Sequence, residues 1–504
     1  MVMSENLFDK LSRTTADRAA IRNDDGMTHG ELIALSGQIA NVLAQRGIEP
    51  GDRVAVQVEK STPALALYLA ALRTGAIFLP LNTGYTLKEM EYFLDDARPA
   101  LMICDPKVSD QIAALSPCPA SLETLDEDGN GSLTDLARKK DTAFATVDRT
   151  ADDIAAILYT SGTTGRPKGA MLSHRNLSSN TETLRDVWRF TADDVLLHAL
   201  PIYHAHGLFV AVNLVLLTGG SMHFLPKFEA ASVLSLLPHS TVMMGVPTFY
   251  TRLLSDPSLA EAAQGMRLFI SGSAPLLPET HRGWEAATGH RILERYGMTE
   301  TCMLTSNPYD GARIAGSVGR PLPGVDLRVT NPETGTLLSD GEIGMIEVRG
   351  PNVFKGYWQM PEKYAAEFRA DGFFITGDLG RVDAQGYVHI VGRGKDLVIT
   401  GGLNVYPREV EAEIDEIEGV IESSIIGLPH PDFGEAVTAV LIVDPAAGLT
   451  EQNVIARLGG QLSKFKQPKR VVFLDELPRN SMGKVQKSLL RDRFRDLYAT
   501  APAS

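Results

Sequence analysis

Tyr159-Thr160-Ser161-Gly162-Thr163-Thr164-Gly165-Arg166-Pro167-Lys168-Gly169 follows the apolar run Ile154 to Leu158. Such a run reads as a short buried strand. The eleven residues after it hold four aliphatic hydroxyls, three glycines and one lysine. Glycine lets backbone N–H groups turn toward an anion and lets the anion come close. The hydroxyls add donors and Lys168 adds a point charge. This is the composition of a polyphosphate loop, the alternative being a flexible polar turn. It is not a Walker loop, because Lys168 is followed by Gly169 and Ala170 rather than by Ser or Thr.

Reading outward, apolar strands alternate with helical spacing. Asp52 to Val58 alternates, Pro63 to Thr74 has helical spacing, and Ala76 to Pro80 and Leu101 to Cys104 return as strands. Residues 12 to 46 read as helices around a short hairpin, and residues 105 to 150 as polar surface connections. Past the loop, Ser173 is an N-cap candidate. A second series runs through Val195 to Leu200, Ser221 to Leu225, Thr241 to Val246 and Leu268 to Ser271. From Gly316 to Val348, short strands punctuated by Gly and Pro suggest a small β-barrel. Beyond Arg393 the pattern is α+β, with a helix from Pro407 to Glu416 and another after Lys484. The predicted class is α/β: a large N-terminal domain of two βα sheets plus a small β-barrel, then a smaller α+β domain. The expected domains are 1–393 and 394–504.

A chain of 504 residues exceeds one core. Its 44% hydrophobic and 22% charged content is that of a globular enzyme. A net charge of −14 argues against nucleic acid or an anionic membrane as partner. Met1 to Leu11 carries Glu5, Asp9 and Lys10 and no apolar core, so no signal peptide is expected. Gly207 to Thr218 is too short to span a bilayer. The cysteines Cys104, Cys118 and Cys302 lack metal-type spacing and suit a reducing compartment, so a cytoplasmic location is expected.

The loop resembles the phosphate loop of the acyl-adenylate-forming superfamily: acyl-CoA synthetases, adenylation domains of peptide synthetases and firefly-type luciferases. Four further stretches match in the family's order: Tyr296-Gly297-Met298-Thr299-Glu300, Thr376-Gly377-Asp378, Gly392-Arg393-Gly394-Lys395-Asp396 and Asn480-Ser481-Met482-Gly483-Lys484. The resemblance implies two steps. A carboxylate attacks the α-phosphorus of ATP, and a thiol, coenzyme A, then attacks the acyl-AMP. Both partners in the first step are anions, so the site must position them and neutralise charge. The resemblance assigns Thr160, Ser161, Gly162, Thr163, Thr164, Gly165 and Lys168 to the β- and γ-phosphates. Thr299 is assigned to the α-phosphate, Tyr296 to adenine, and Glu294, Arg295 and Gly297 to the same nucleotide side. Glu300 is the implied Mg²⁺ ligand, a metal that takes one or two carboxylates plus phosphate oxygens. Asp378 and Arg393 are assigned to ribose. Lys484 is the implied catalytic lysine, on a mobile domain with its hinge at Lys395. Rotation there is expected to replace Lys484 with the coenzyme A side, Gly401, Gly402 and Leu403. Lys484 is also the expected target of a lysine acetyltransferase and deacetylase.

The acid side is polar where a fatty-acid enzyme would be apolar. His204, at the family's aromatic gate, is placed with the catalytic residues. Arg252, Ser273 and His206 could hold a second carboxylate, with Met303 closing a short pocket. This combination resembles the malonyl-CoA synthetase branch, some members of which take methylmalonate. Arg252 could instead be a solvent-facing helix charge and His206 a structural histidine, and Arg282 is a second candidate cation. Two other functions stay open on sequence: an adenylation domain loading a carrier protein, which would place an Asp where His204 and His206 stand, and a sensor, which should have lost Glu300 or Lys484.

Overall fold

The computed structural model describes residues 5–23, 26–117, 119–160, 167–400, 403–431, 433–459, 461–462, 464–480 and 483–498. The chain divides into two compact units, Met1–Asp326 with Val348–Phe374, and Leu327–Glu347 with Ile375–Ser504.

The first unit is built on two sheets. One has six strands in the order Leu122–Thr124, Leu101–Cys104, Arg53–Gln57, Ile77–Pro80, Ile154–Thr160, Lys168–Ser173. All neighbours are parallel except the last pair, where Tyr159 faces Gly169 and Thr160 faces Lys168. The phosphate-type loop is therefore the connection of an antiparallel hairpin, not the strand-to-helix turn of a Walker loop. The other sheet has nine strands, with Leu293–Met298, Leu268–Ser271, Val242–Gly245, Val195–His198 and Ser221–Phe224 as its parallel centre. The four central strands from Val195 to Ser271 are buried at every residue, as parallel strands covered on both faces must be.

Local signals place the helices. Ser61 accepts from the Ala64 N–H and begins Thr62–Thr74, which ends at Gly75 with φ 72°. Ala64 through Thr74 are all buried, so this helix is apolar all round rather than striped. Ser173 caps His174–Val187, as its position predicts. The expected hairpin before residue 46 is present as Ala19–Ile21 and Met27–Thr28, followed by the helix His29–Gln45.

Residues 105 to 150 are more ordered than the sequence suggests. Leu122–Thr124 extends the six-stranded sheet and Ser132–Ala137 is a helix. Three residues, Leu-Glu-Thr, are too few to show a strand period. Glu123 is nevertheless buried, bonded to Ser132 and paired with Arg46.

Most of a four-stranded sheet belongs to the second unit, in the order Asp326–Thr330, Gly344–Arg349, Phe374–Val382, Val388–Arg393, with the last pair antiparallel. The first two are short strands within the Gly316 to Val348 stretch, where the Gly and Pro spacing predicts them. A five-stranded sheet follows, centred on Val420–His430 and Gly434–Val443. The helix Pro407–Asp415 packs on it through Val410 and Ile414, against Ile425, Val437 and Leu441. The final helix is Lys487–Phe494. No helix among the described residues is long and apolar enough to cross a membrane.

One buried ion pair ties the large sheet together. Arg267, just before the strand Leu268–Ser271, donates to Asp194 through Nε at 2.6 Å and Nη2 at 2.7 Å. Thr241 Oγ1 and the Thr191 N–H also donate to this carboxylate, at 2.7 and 2.8 Å. Burial alone would raise the Asp194 pKa, but these bonds win and hold it below the ordinary carboxylate value. Its stabilising contribution is therefore present above the unfolded pKa and lost as pH falls through the folded one. Asp194→Ala is expected to cost about 3–5 kcal/mol in denaturant unfolding at pH 7, because it strands Arg267. The cost should shrink toward acid pH; a pH-independent cost would assign the effect to packing.

Candidate active site

In the first unit the functional residues lie at the carboxyl ends of parallel strands, where open α/β sheets bind ligands. Val195–His198 leads into Pro201 to Gly207, and Leu268–Ser271 leads into Gly272 and Ser273. His206 opens a π-helical turn, His206–Val212, and is buried. Gly207 is required there, since a Cβ would lie 2.0 Å from the Pro201 carbonyl oxygen. Ser273 Oγ is 3.2 Å from His206 Nδ1. Ser273 takes φ 71°, a left-handed conformation that disfavours a side chain and is common at ligand sites.

Arg295 stands beside this pair. The register that sets Ser271 opposite Glu294 brings Gly272 against its guanidinium, where a Cβ would lie 2.3 Å from Cζ. Arg295 is buried, and its Nε and Nη2 meet no acceptor among the described residues. His206 Nε2 and Ser271 Oγ are likewise buried and unmatched. Burial lowers the Arg295 pKa to about 10, so the cation persists at neutral pH. Burial, and then the charge of Arg295, holds His206 far below its ordinary value, and burial brings His204 down to about 4. Both histidines are neutral at pH 7. The cluster is thus a buried positive charge flanked by unused polar atoms, and a charge so buried calls for a partner.

Sequence reasoning placed Arg295 on the nucleotide side and chose Arg252 as the acid-side cation. Arg252 lies in the last turn of Pro247–Leu254 and is exposed, while Tyr250 and Leu253 of that helix are buried. Arg282 is exposed as well. Met303 is buried and pairs with Gly297 in register, its backbone bonded to Asn180.

A second polar group of this unit, the residues expected on the nucleotide side, centres on Glu300 and Lys168. Glu300 is buried and accepts from the Tyr357 hydroxyl at 2.9 Å. Lys168 Nζ lies 4.3 Å from the Tyr357 ring centroid and pairs with Glu367 at 2.9 Å. Burial and the two carboxylates, Glu300 and Glu367, push the Tyr357 phenol well up, so it stays a donor. Tyr357 and Glu367 carry no mark in sequence beyond their polarity; only the fold brings them here. No group of three or more His, Cys, Asp or Glu suited to a metal occurs among the described residues. Glu300 is a single carboxylate, a donor set that fits Mg²⁺ shared with phosphate oxygens. Tyr296 and Thr299 are half-buried on the same segment, and Glu294 lies 3.4 Å from His281. Thr160 faces Lys168 across the hairpin, whereas Ser161, Gly162, Thr163, Thr164 and Gly165 lie outside the described residues.

The second unit assembles its own group. Asp378 and Arg393 face each other across two antiparallel strands and pair at 2.7 Å. Asp378 is buried, so one edge of its carboxylate is fixed. The Lys484 side chain has open surface, yet protein crowds its ammonium. That desolvation comes first in lowering its pKa, and repulsion from Arg393 adds to it, against attraction from Asp378 and Asp396. Lys395 forms a short 3-10 turn, Gly394–Asp396, and Asp396 pairs with Arg491 at 3.0 Å. Leu403 is exposed; Gly401, Gly402, Ser481 and Met482 lie outside the described residues.

Glu300 and Lys168 thus meet at Tyr357, apart from the buried cluster around Arg295. Comparison with known proteins gives the family. The AMP-binding enzyme family model matches residues 8–358, and the AMP-binding enzyme C-terminal domain matches 409–484. The chain belongs to the AMP-binding enzyme family. It is 36% identical to a malonate–CoA ligase of Arabidopsis thaliana, over 96% of this chain and 87% of that protein. It is 33% identical to the mitochondrial malonate–CoA ligase ACSF3 of Mus musculus, over 97% and 90%. The crystal structure of ATP-bound MatB from Rhodopseudomonas palustris is 62% identical, with TM-score 0.97, covering 98% of this chain and 100% of that one.

Gly272→Ala should force the Arg295 guanidinium aside. Expected outcomes are a stability loss of about 1–3 kcal/mol from overpacking, and a fall in kcat/KM for the acid with KM for ATP unchanged. Equal change in both KM values would place Arg295 on the nucleotide side.

Proposed function

We propose that the chain is an ATP-dependent acid–thiol ligase that activates malonate, with methylmalonate as a second acid, as acyl-AMP and transfers it to coenzyme A. The observation that carries the specific acid is the buried Arg295 with two unmatched donors beside His206 and Ser273. A fatty acid or acetate brings nothing to pair with that cation; the distal carboxylate of malonate does. Ser273 donating to Nδ1 of neutral His206 leaves the proton on Nε2, aimed at the same carboxylate. Met303 bounds the pocket and His204 stands at its gate.

Lys168, Thr160 and the hydroxyls of the loop bind the β- and γ-phosphates, and Thr299 meets the α-phosphate. Glu300, oriented by Tyr357, would hold Mg²⁺, which supplies charge neutralisation to the phosphates. Tyr296, with Glu294 and Gly297, borders adenine, and Asp378 and Arg393 take the ribose hydroxyls. Residues 1–393 act as the nucleotide and acid domain, and 394–504 as the domain that alternates about Lys395. Lys484 offsets the repulsion between carboxylate and α-phosphate. Thiol attack on the acyl carbon, served by Gly401, Gly402 and Leu403, does not call for that charge. Acetylation of Lys484 would remove it.

Pyrophosphate exchange with a panel of acids tests the substrate. Malonate should far exceed acetate and octanoate; a higher kcat/KM for octanoate overturns the pocket. Arg295→Met should lower malonate kcat/KM by roughly 2–5 kcal/mol of binding and acetate little. Arg252→Ala should leave both nearly unchanged, and the reverse ranking would return the cation role to Arg252. For the two steps, Lys484→Ala should abolish pyrophosphate exchange while supplied malonyl-AMP and coenzyme A still give the thioester. Lys395→Pro, which restricts φ at the hinge, should spare exchange and impair thioester formation. Equal damage to both steps in both variants would mean one static site.

A further inference from the structure

Lys60 and His198 form a buried pair that no step above uses. Lys60 lies between the strand Arg53–Gln57 of the six-stranded sheet and the helix Thr62–Thr74. His198 ends the strand Val195–His198 of the nine-stranded sheet. Lys60 Nζ is 2.7 Å from both His198 Nδ1 and the His198 carbonyl oxygen. Its ammonium lies 4.3 Å from the Phe224 ring centroid. Both side chains are buried, at 6% and 1% exposure. On its other edge, His198 Nε2 is 2.8 Å from the Gly207 carbonyl oxygen.

These contacts fix the tautomer. A carbonyl oxygen only accepts, so His198 carries its proton on Nε2 and donates to Gly207. Nδ1 is then a lone pair, which Lys60 satisfies as donor. Gly207 adjoins His206 and has no room to shift, being packed on the Pro201 carbonyl. A line of donors thus runs from Lys60 through His198 to the turn that carries His206, and His206 meets Ser273. We propose that Lys60 and His198 are positioning residues for acid binding: Lys60 holds His198 in one neutral tautomer, and His198 clamps the Gly207 carbonyl so that His206 faces the acid. The pair also stitches the two sheets where their strands end, so neither residue needs to touch substrate. This rests on the reading of His206 as an acid-binding residue.

The test uses the full-length enzyme. Lys60→Met keeps the volume and removes the donor, and Lys60→Gln restores an N–H without the charge. Lys60→Met should raise KM for malonate about tenfold, the worth of one oriented hydrogen bond near 1.4 kcal/mol, with KM for ATP unchanged. Lys60→Gln should recover most of that loss. Histidine ¹⁵N spectra of the unmodified enzyme should show His198 protonated on Nε2 alone at pH 7. A signal from Nδ1–H, or from a doubly protonated ring, overturns the proposal without any variant having to fold. A rise of both KM values in step with lost thermal stability overturns it too, as a merely structural role. His206→Ala separates the two readings. If it leaves malonate KM unchanged, the acid-pocket reading fails; if it raises KM while Lys60→Met does not, only the positioning role fails.

Discussion

A guanidinium buried with two donors unmatched among the described residues is costly, and the strand ends of the first unit are arranged around that cost at Arg295. The Ser271–Glu294 register delivers the side chain to the strand ends, and Gly272 makes the space it fills. The hairpin from Leu293–Met298 to Cys302–Ser306 then closes behind it. Gly297 cannot carry a Cβ, which would lie 1.9 Å from the Cys302 carbonyl oxygen, and Cys302 itself takes φ 50°. Strain, a missing side chain and an unpaired cation concentrate within a few residues of one another. Such features persist only where the surrounding fold over-determines them.

Much of the architecture was legible because it is written in local chemistry. The buried strands are short apolar runs, Ser173 is an N-cap, and Gly75 ends its helix with positive φ. The strand Leu122–Thr124 was not legible, because three residues carry no period and its central Glu123 is satisfied only by distant Ser132 and Arg46. The motif around Glu300 was readable as a unit, yet nothing in its spacing marks Arg295 as a buried cation with unmatched donors. Helical phase was the neglected signal for Arg252. Tyr250 and Leu253 are three apart and buried, so Arg252 between them faces outward. Tyr357 and Glu367 lie far in sequence from Glu300 and Lys168, and spacing carries no trace of that meeting.

In the second unit, sheet register does the work that the hairpin does in the first. Asp378 and Arg393 are fifteen residues apart in sequence and directly opposed in space. Their ion pair orients one carboxylate edge, and Asp378 is buried enough that solvent screens the pair weakly. Lys484 is held differently, by a loop whose Asn480 side chain accepts the Lys484 N–H at 2.9 Å. Desolvation, and after it repulsion from Arg393 and Lys395, lowers the pKa of its ammonium, while Asp378 and Asp396 sustain the charge. A cation kept in that balance has few fixed partners to abandon when it meets a new anion.

Selectivity for a short diacid follows from what is left unpaired rather than from what is paired. Apolar pockets discriminate weakly, because one methylene changes binding by about 1–3 kcal/mol. A pocket with buried donors rejects any acid that cannot satisfy them, since the unpaired groups are then sealed from water with nothing in exchange. The neutral histidines sharpen this. Burial keeps His204 and His206 uncharged, so Arg295 is the formal charge among these acid-side residues. One cation matches one distal carboxylate. On the proposed reading, the opposing need, neutralising the reacting carboxylate against ATP, falls to Lys484 rather than to Arg295. On that reading, recognition and activation of the same small dianion are given to different charges, and a change at one leaves the other in place.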